Sequence, residues 1–333
     1  MRIAIDAMGG DNAPKEIVYG VLEAAISHPN ITFILVGHEQ QLAEYCTEKP
    51  SNVIIHHADE IITADDEPVK AIRKKKDASM VVAARLVKEK QAEAMITAGN
   101  TGAFMAAGLL VVGRIAGVQR PALAPIFPSA SGKGTMVLDV GANMDAKPEY
   151  LVQHAILGSI YMNKMLGIAN PRVGLANIGT ESGKGNDLTK EAYTLLETAA
   201  INFVGNVEPR DIMADKCDVL VCDGFTGNII LKTLEGAAAT IFGILKQDIN
   251  SSFRGKLGGV LLLPIFRNLR GKLDYREYGG APLLGLNGAC IKSHGSSDRT
   301  AIINAIRQTI TFLEKQTLEQ MTKELMNRSE KFE

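Results

Sequence analysis

Five times along this chain a short apolar run breaks off into glycine, amide and hydroxyl residues, and a helix pattern opens behind the break. The breaks are AMGGDNAP (7–14), AGNTGA (98–103), LDVGAN (138–143), NIGTESGKGND (177–187) and DGFTGN (223–228). A short apolar run without alternation is the pattern of a strand buried on both faces. Strand followed by helix, repeated, leaves few options: the sheet must be mostly parallel, with helices on both of its faces. The expected fold class is therefore α/β. In such sheets ligands bind beyond the carboxyl ends of the strands, where loops meet helix N-termini. Repeated breaks of one chemical kind point to a shared polar cleft at that end.

Further strands are expected at 2–8, 31–37, 53–57, 94–98, 136–140, 173–178, 203–204, 219–222 and 289–292, and helices at 103–116 and 148–166. A last helix follows Asp298 and runs close to the C-terminus. Residues 227–278 interrupt the alternation as a helical excursion, inside what otherwise reads as one unit over 1–333.

The richest break places Asn177, Thr180, Glu181, Ser182 and Lys184 among glycines, just before a helix opening at Asp187. Glycines let backbone approach a ligand, and a lysine ammonium suits an anion. It is no Walker loop, because Gly185 follows the lysine. Asn100, Thr101 and Gly102 offer amide, hydroxyl and backbone N–H groups at a helix start, and Thr226, Gly227 and Asn228 repeat that set. A ligand-free helix cap uses the same residue types, so both readings stay open. Asp139 and Asn143 close a buried strand, where a carboxylate needs partners or a role. His294, Gly295, Ser296 and Ser297 precede the last helix. Without a G-x-S-x-G elbow, they read as a phosphate cradle ahead of a serine nucleophile.

Composition excludes some classes. A net charge of −1 supplies no basic excess for nucleic acid. No C-x-x-C pair occurs among Cys46, Cys217, Cys222 and Cys290, and no secretory leader is expected. The expectation is a cytoplasmic protein with thiols buried as small hydrophobes and no metal.

Within the excursion, Val260, Leu261, Leu262, Leu263 and Phe266 form an apolar tip of about half a membrane span. Arg254, Lys256, Arg267, Arg270 and Lys272 ring it. An apolar tip ringed by base suits an anionic membrane surface or an acidic protein; burial against a second subunit is the other reading.

The ordered set DAMGGDNAP, AGNTGA, LDVGAN, NIGTE with Lys184, CDGFTGN, GGAPLLG and HGSS spans essentially the whole chain and resembles the bacterial phosphate acyltransferases of the PlsX family. The resemblance implies a three-layer α/β/α fold of the isocitrate and isopropylmalate dehydrogenase kind, a homodimer and no cofactor. It also implies acyl transfer from acyl-[acyl carrier protein] to inorganic phosphate, giving acyl phosphate for phospholipid synthesis. On that reading Lys184 and the groups around Asn100–Gly102 and His294–Ser297 hold phosphate. Asn228 and Asn177 polarise the thioester carbonyl, while Glu181, Asp139 and Asn143 orient Lys184. The basic rim receives the acidic carrier protein, and the tip meets lipid at the inner face of the membrane, near a downstream glycerol-phosphate acyltransferase. The alternatives are a phosphotransacetylase-like enzyme using acyl-CoA, a dehydrogenase on the same fold, and a non-catalytic membrane-bound organiser of lipid enzymes.

Overall fold

A computed structural model describes residues 1–273 and 279–329, with side chains described outside 266–273 and 327–329. The first half runs β1 (Arg2–Asp6), α1 (Lys15–Ser27), β2 (Thr32–Gly37), α2 (Glu39–Ala43), β3 (Val53–His57), α3 (Pro68–Lys74), α4 (Ser79–Lys88), β4 (Ala94–Thr97) and α5 (Thr101–Ala107). Next come β5 (Ala122–Leu123), β6 (Ile126–Phe127), β7 (Thr135–Leu138), α6 (Pro148–Leu166), β8 (Arg172–Ala176), α7 (Asp187–Thr198), β9 (Asn202–Val207) and β10 (Val219–Val221). The chain ends with α8 (Gly224–Asn250), α9 (Phe253–Leu273), β11 (Ala281–Leu284), β12 (Ala289–Lys292), α10 (Arg299–Glu314) and α11 (Thr317–Ser329).

The strands form two sheets, in the orders β3-β2-β1-β4-β12-β11-β5 and β6-β7-β10-β8-β9. From β3 to β12, and from β7 to β9, every pairing is parallel. The antiparallel pairings all involve β11, β5 or β6. Residues 122–127 pass from one sheet to the other, so β5 and β6 lie in different sheets four residues apart. Backbone bonds from Val137 to Pro125 and from Val140 to Leu123 fasten β7 to that crossing (3.0 and 3.1 Å).

Successive strand residues face opposite sides, and both sides are covered. Ile3 and Ile5 pack with Val18 of α1, Leu157 of α6 and Ile306 of α10, while Ala4 joins Met80 of α4, Phe104 of α5 and Ile230 of α8. This is the α/β fold with mostly parallel sheets and helices on either side. The helix expected over 103–116 starts at Thr101, converts to a π-helical turn at Gly108–Val112 and ends there. The single C-terminal helix is two, broken where Gln316 takes a φ of 50°.

Candidate functional site

Strands β1, β4 and β12 are neighbours, so their carboxyl-end loops stand side by side. Asp6, the last residue of β1, is buried, and its oxygens accept Ser79 Oγ and Thr97 Oγ1, both at 2.6 Å. Burial raises its pKa, against the pull of those hydroxyls, the Met8 N–H and Lys292. After β4, Asn100 caps α5 by accepting the Ala103 N–H at 3.0 Å, and its amide donates to the carbonyls of Thr63 and Ala64 (3.1 and 3.2 Å). Both ends of that side chain therefore hold loops in place, and Thr101 beside it is exposed. After β12, Ser297 N–H returns to the His294 carbonyl at 3.0 Å, and Asn12 Nδ2 donates to the carbonyls of Ser296 and Ser297. His294 Nδ1 lies 2.8 Å from Ser296 Oγ, and burial holds its imidazole below the ordinary value.

The opposing wall comes from the other sheet. Asp139 is fully buried at the end of β7. Its Oδ1 accepts the N–H groups of Leu123 and Ala142, each at 3.0 Å; its Oδ2 accepts Asn143 N–H at 2.6 Å and Asn143 Nδ2 at 2.9 Å. These are internal bonds, and none of them reaches Lys184. Helix α8 starts against this loop so closely that a Cβ on Gly227 would sit 1.9 Å from the Asp139 carbonyl oxygen. Only glycine permits that approach. Thr226 is held by the Asp223 cap, through its N–H at 2.8 Å and its hydroxyl at 2.7 Å. Two residues on, the half-buried Asn228 amide has no partner among the described residues.

Between these walls lies a cleft of about 700 Å³. Asn100, Thr101, Asn228, His294, Gly295 and Ser297 line it, with Asp11, Lys232, Glu235, Lys292 and Ser293. Ile62, Met105, Leu123, Ile126, Met144 and Leu231 supply an apolar side. The hydroxyls of Ser293 and Ser297 are buried without a hydrogen-bond partner among the described residues, although both residues line the cleft. Two buried hydroxyls without partners are expensive unless something binds there. Lys292, Ser293 and Lys232 escape sequence reasoning. A lysine closing the strand ACIK reads as a solvated strand end, and only the pairing of β12 with β4 and β11 buries it.

The other sequence candidates stand elsewhere. Gly102, Ser296, Thr226, Gly227, Asp139 and Asn143 shape the loops behind the cleft without lining it. Lys184 is exposed, on the loop after β8, which lies beyond β10 from the β7 wall. Asn177 folds that loop onto itself: its Nδ2 donates to the Lys184 carbonyl at 3.0 Å and its Oδ1 accepts the Ile178 N–H at 2.8 Å. Glu181 accepts Asn206 Nδ2 on its carbonyl and exposes its carboxylate. In the excursion, Arg254, Lys256, Val260, Leu261, Leu262 and Leu263 are all exposed on α9, Leu261 by 74%. Phe266, Arg267, Arg270 and Lys272 fall on side chains outside the described ones. Helix α8 is long and apolar enough to cross a membrane by length and composition alone.

Residues 1–320 match the family described as fatty acid synthesis protein. A phosphate acyltransferase of Brevibacillus brevis is 55% identical over 95% of this chain and 94% of its own length. One from Oceanobacillus iheyensis is 56% identical over 92% of each. Among solved structures, a phosphotransacetylase from Streptococcus pyogenes superposes with a TM-score of 0.61 at 16% identity, over 96% of this chain and 94% of that one. A phosphotransacetylase from Staphylococcus aureus gives 0.55 at 17%, over 93% of each. At such identities these two share the fold.

Proposed function

This chain belongs to the phosphate acyltransferase family and is an acyltransferase; we propose that it moves a fatty acyl group from the thioester of acyl carrier protein to inorganic phosphate, giving acyl phosphate for phospholipid synthesis. The observation that carries the site is the cleft itself, where unpartnered donors face a long apolar side. Inorganic phosphate is already a nucleophile. The protein therefore has to align it, offset its charge and stabilise the oxygen that becomes negative.

A phosphate oxygen attacks the thioester carbonyl carbon. As the C–O bond forms, the carbonyl electrons move onto oxygen, and Asn228 donates to that oxyanion from the first turn of α8. The tetrahedral centre collapses, the C–S bond breaks, and its electron pair leaves on the carrier's sulfur. The proton lost by hydrogen phosphate ends on that thiol. The apolar side of the cleft takes the acyl chain; the exposed basic residues of α9 take the carrier protein, and its exposed apolar residues meet an anionic membrane. A homodimer and a cytoplasmic location, peripheral at the membrane, complete the reading.

The test is turnover of acyl-[acyl carrier protein] with phosphate, followed as phosphate-dependent thiol release, with acyl-CoA as the competing donor. Asn228→Ala should lower kcat by about 100-fold or more while the protein stays folded; a near-wild-type rate refutes the assignment. Lys184→Ala with full turnover removes Lys184 from the mechanism. Loss of turnover shows that its loop closes on the cleft. A preference for acyl-CoA moves the activity to the phosphotransacetylase type.

A further inference from the structure

Lys292 is 7% exposed, an unusual place for an ammonium. Its Nζ donates to the carbonyl oxygens of Ala98 and Ser293, two bonds out of three that an ammonium offers. Neither acceptor carries a full charge. Asp6 lies near, but the hydrogen bonds of its carboxylate come from Ser79, Thr97 and Met8. Across the cleft Lys232 is tied to Glu235 at 2.9 Å, and Asp11 is the remaining carboxylate in the lining. Beside Lys292 stand the Ser293 and Ser297 hydroxyls, 3% and 2% exposed and without acceptors among the described residues.

A buried cation and two buried hydroxyls, all lining one cleft, want the same partner: a small group with several oxygens and negative charge. We propose that Lys292, Ser293 and Ser297 form the seat of inorganic phosphate, so that Lys292 is the cation that holds the nucleophile. This rests on the acyl transfer to phosphate proposed above. It gives the incoming charge to the floor of the cleft and leaves Asn228, on the opposite wall, for the thioester oxygen. Burial, opposed by Asp6 and Asp11 and assisted by Lys232, pushes the Lys292 pKa down to about 8. At neutral pH the ammonium is therefore still mostly charged, and it is poorly solvated until an anion arrives.

The experiment measures binding and turnover separately. Inorganic phosphate alone is titrated into wild type, Lys292→Met and Ser297→Ala while the thermal unfolding midpoint is followed, and phosphate KM is then measured at saturating acyl-[acyl carrier protein]. Lys292→Met should raise phosphate KM by about 10- to 100-fold and Ser297→Ala by about 5-fold, the scales of a charged and a neutral hydrogen bond. The donor KM should hold within about twofold, and the phosphate-induced rise in midpoint should vanish in Lys292→Met. If Lys292→Met does not fold, Ser297→Ala and Ser293→Ala decide by the same two readouts. Wild-type phosphate KM and an undiminished midpoint rise in the folded variants overturn the seat while leaving the enzyme's function intact. Phosphate binding that depends on Lys292, in a wild type that transfers no acyl group, supports the seat and sinks the function.

Discussion

Replacing Asp139 by asparagine removes one of two acceptor oxygens, each of which takes two N–H groups. Whichever way the new amide points, its NH2 faces two donors. Turning it toward Asn143 is the milder choice, because that side is only partly buried and water replaces some of what is lost. Two bonds to a charged acceptor, at about 1.5 kcal/mol each on the low side, put the loss near 3 kcal/mol. With about 2.1 cal/mol/K of unfolding entropy per residue, 333 residues give about 0.7 kcal/mol/K, so Tm should fall by about 4 °C. The Leu123 N–H belongs to β5 in one sheet and Asp139 follows β7 in the other; that bond then rests on a neutral amide oxygen instead of a carboxylate, so the seam between sheets is weakened while the bonds to Asn143 are lost. Equilibrium urea denaturation followed by circular dichroism, with a thermal scan alongside, measures it. The control is Asp145→Asn on the exposed part of the same loop, expected to stay within about 0.5 kcal/mol. If Asp139→Asn were as harmless as the control, the carboxylate would not be what ties the sheets.

Three further outcomes are expected. Gly227→Ala would force a methyl to 1.9 Å from the Asp139 carbonyl and should abolish soluble folded protein, whereas Gly183→Ala, with open space around it, should express and melt as wild type; equal yields would refute the packing of α8 on the β7 loop. Lys292 has a folded pKa below its unfolded value, so its contribution to stability is present above about 10.5 and is lost as pH falls through about 8, roughly 3 kcal/mol in all. Unfolding free energies of wild type and Lys292→Met between pH 7 and 10.5 should therefore differ most at pH 7, and a constant difference refutes the burial argument. Leu262→Glu, at an exposed position on α9, should lower sedimentation with anionic vesicles while soluble turnover persists; unchanged sedimentation rejects lipid contact by that face.

Much of the architecture is legible because burial on two faces writes itself as unbroken apolar runs: β1, β2, β4, β8, β10 and β12 are all visible that way. Strands β5, β6 and β11 are not: the first two have only two residues each, and β11 is bounded by the glycines and interrupted by the proline of GGAPLLG; the division into two sheets is a matter of pairing partners far apart in sequence. The loops that meet at the cleft are legible as glycine and amide breaks, but which polar group does what is not. Asn100 and Asn177 have the composition of ligand donors, and the structure commits their amides to backbone carbonyls, of a neighbouring loop for Asn100 and of its own loop for Asn177. Conversely Lys292 sits in an ordinary-looking strand and Ser293 directly behind it, and neither stands out in the sequence; Ser297, legible as part of a cradle, is told apart from Ser296 only when every nearby acceptor has been located.

Helix α8 carries Asn228 near its packed end and runs on to Asn250, which at 1.5 Å per residue is about 33 Å away. That makes it a lever pinned at the fulcrum. Swinging the far end by several ångströms moves the pinned amide by only a small fraction of that. On the proposed function, the chemistry would thus be mechanically insulated from the noisier business of collecting its substrate.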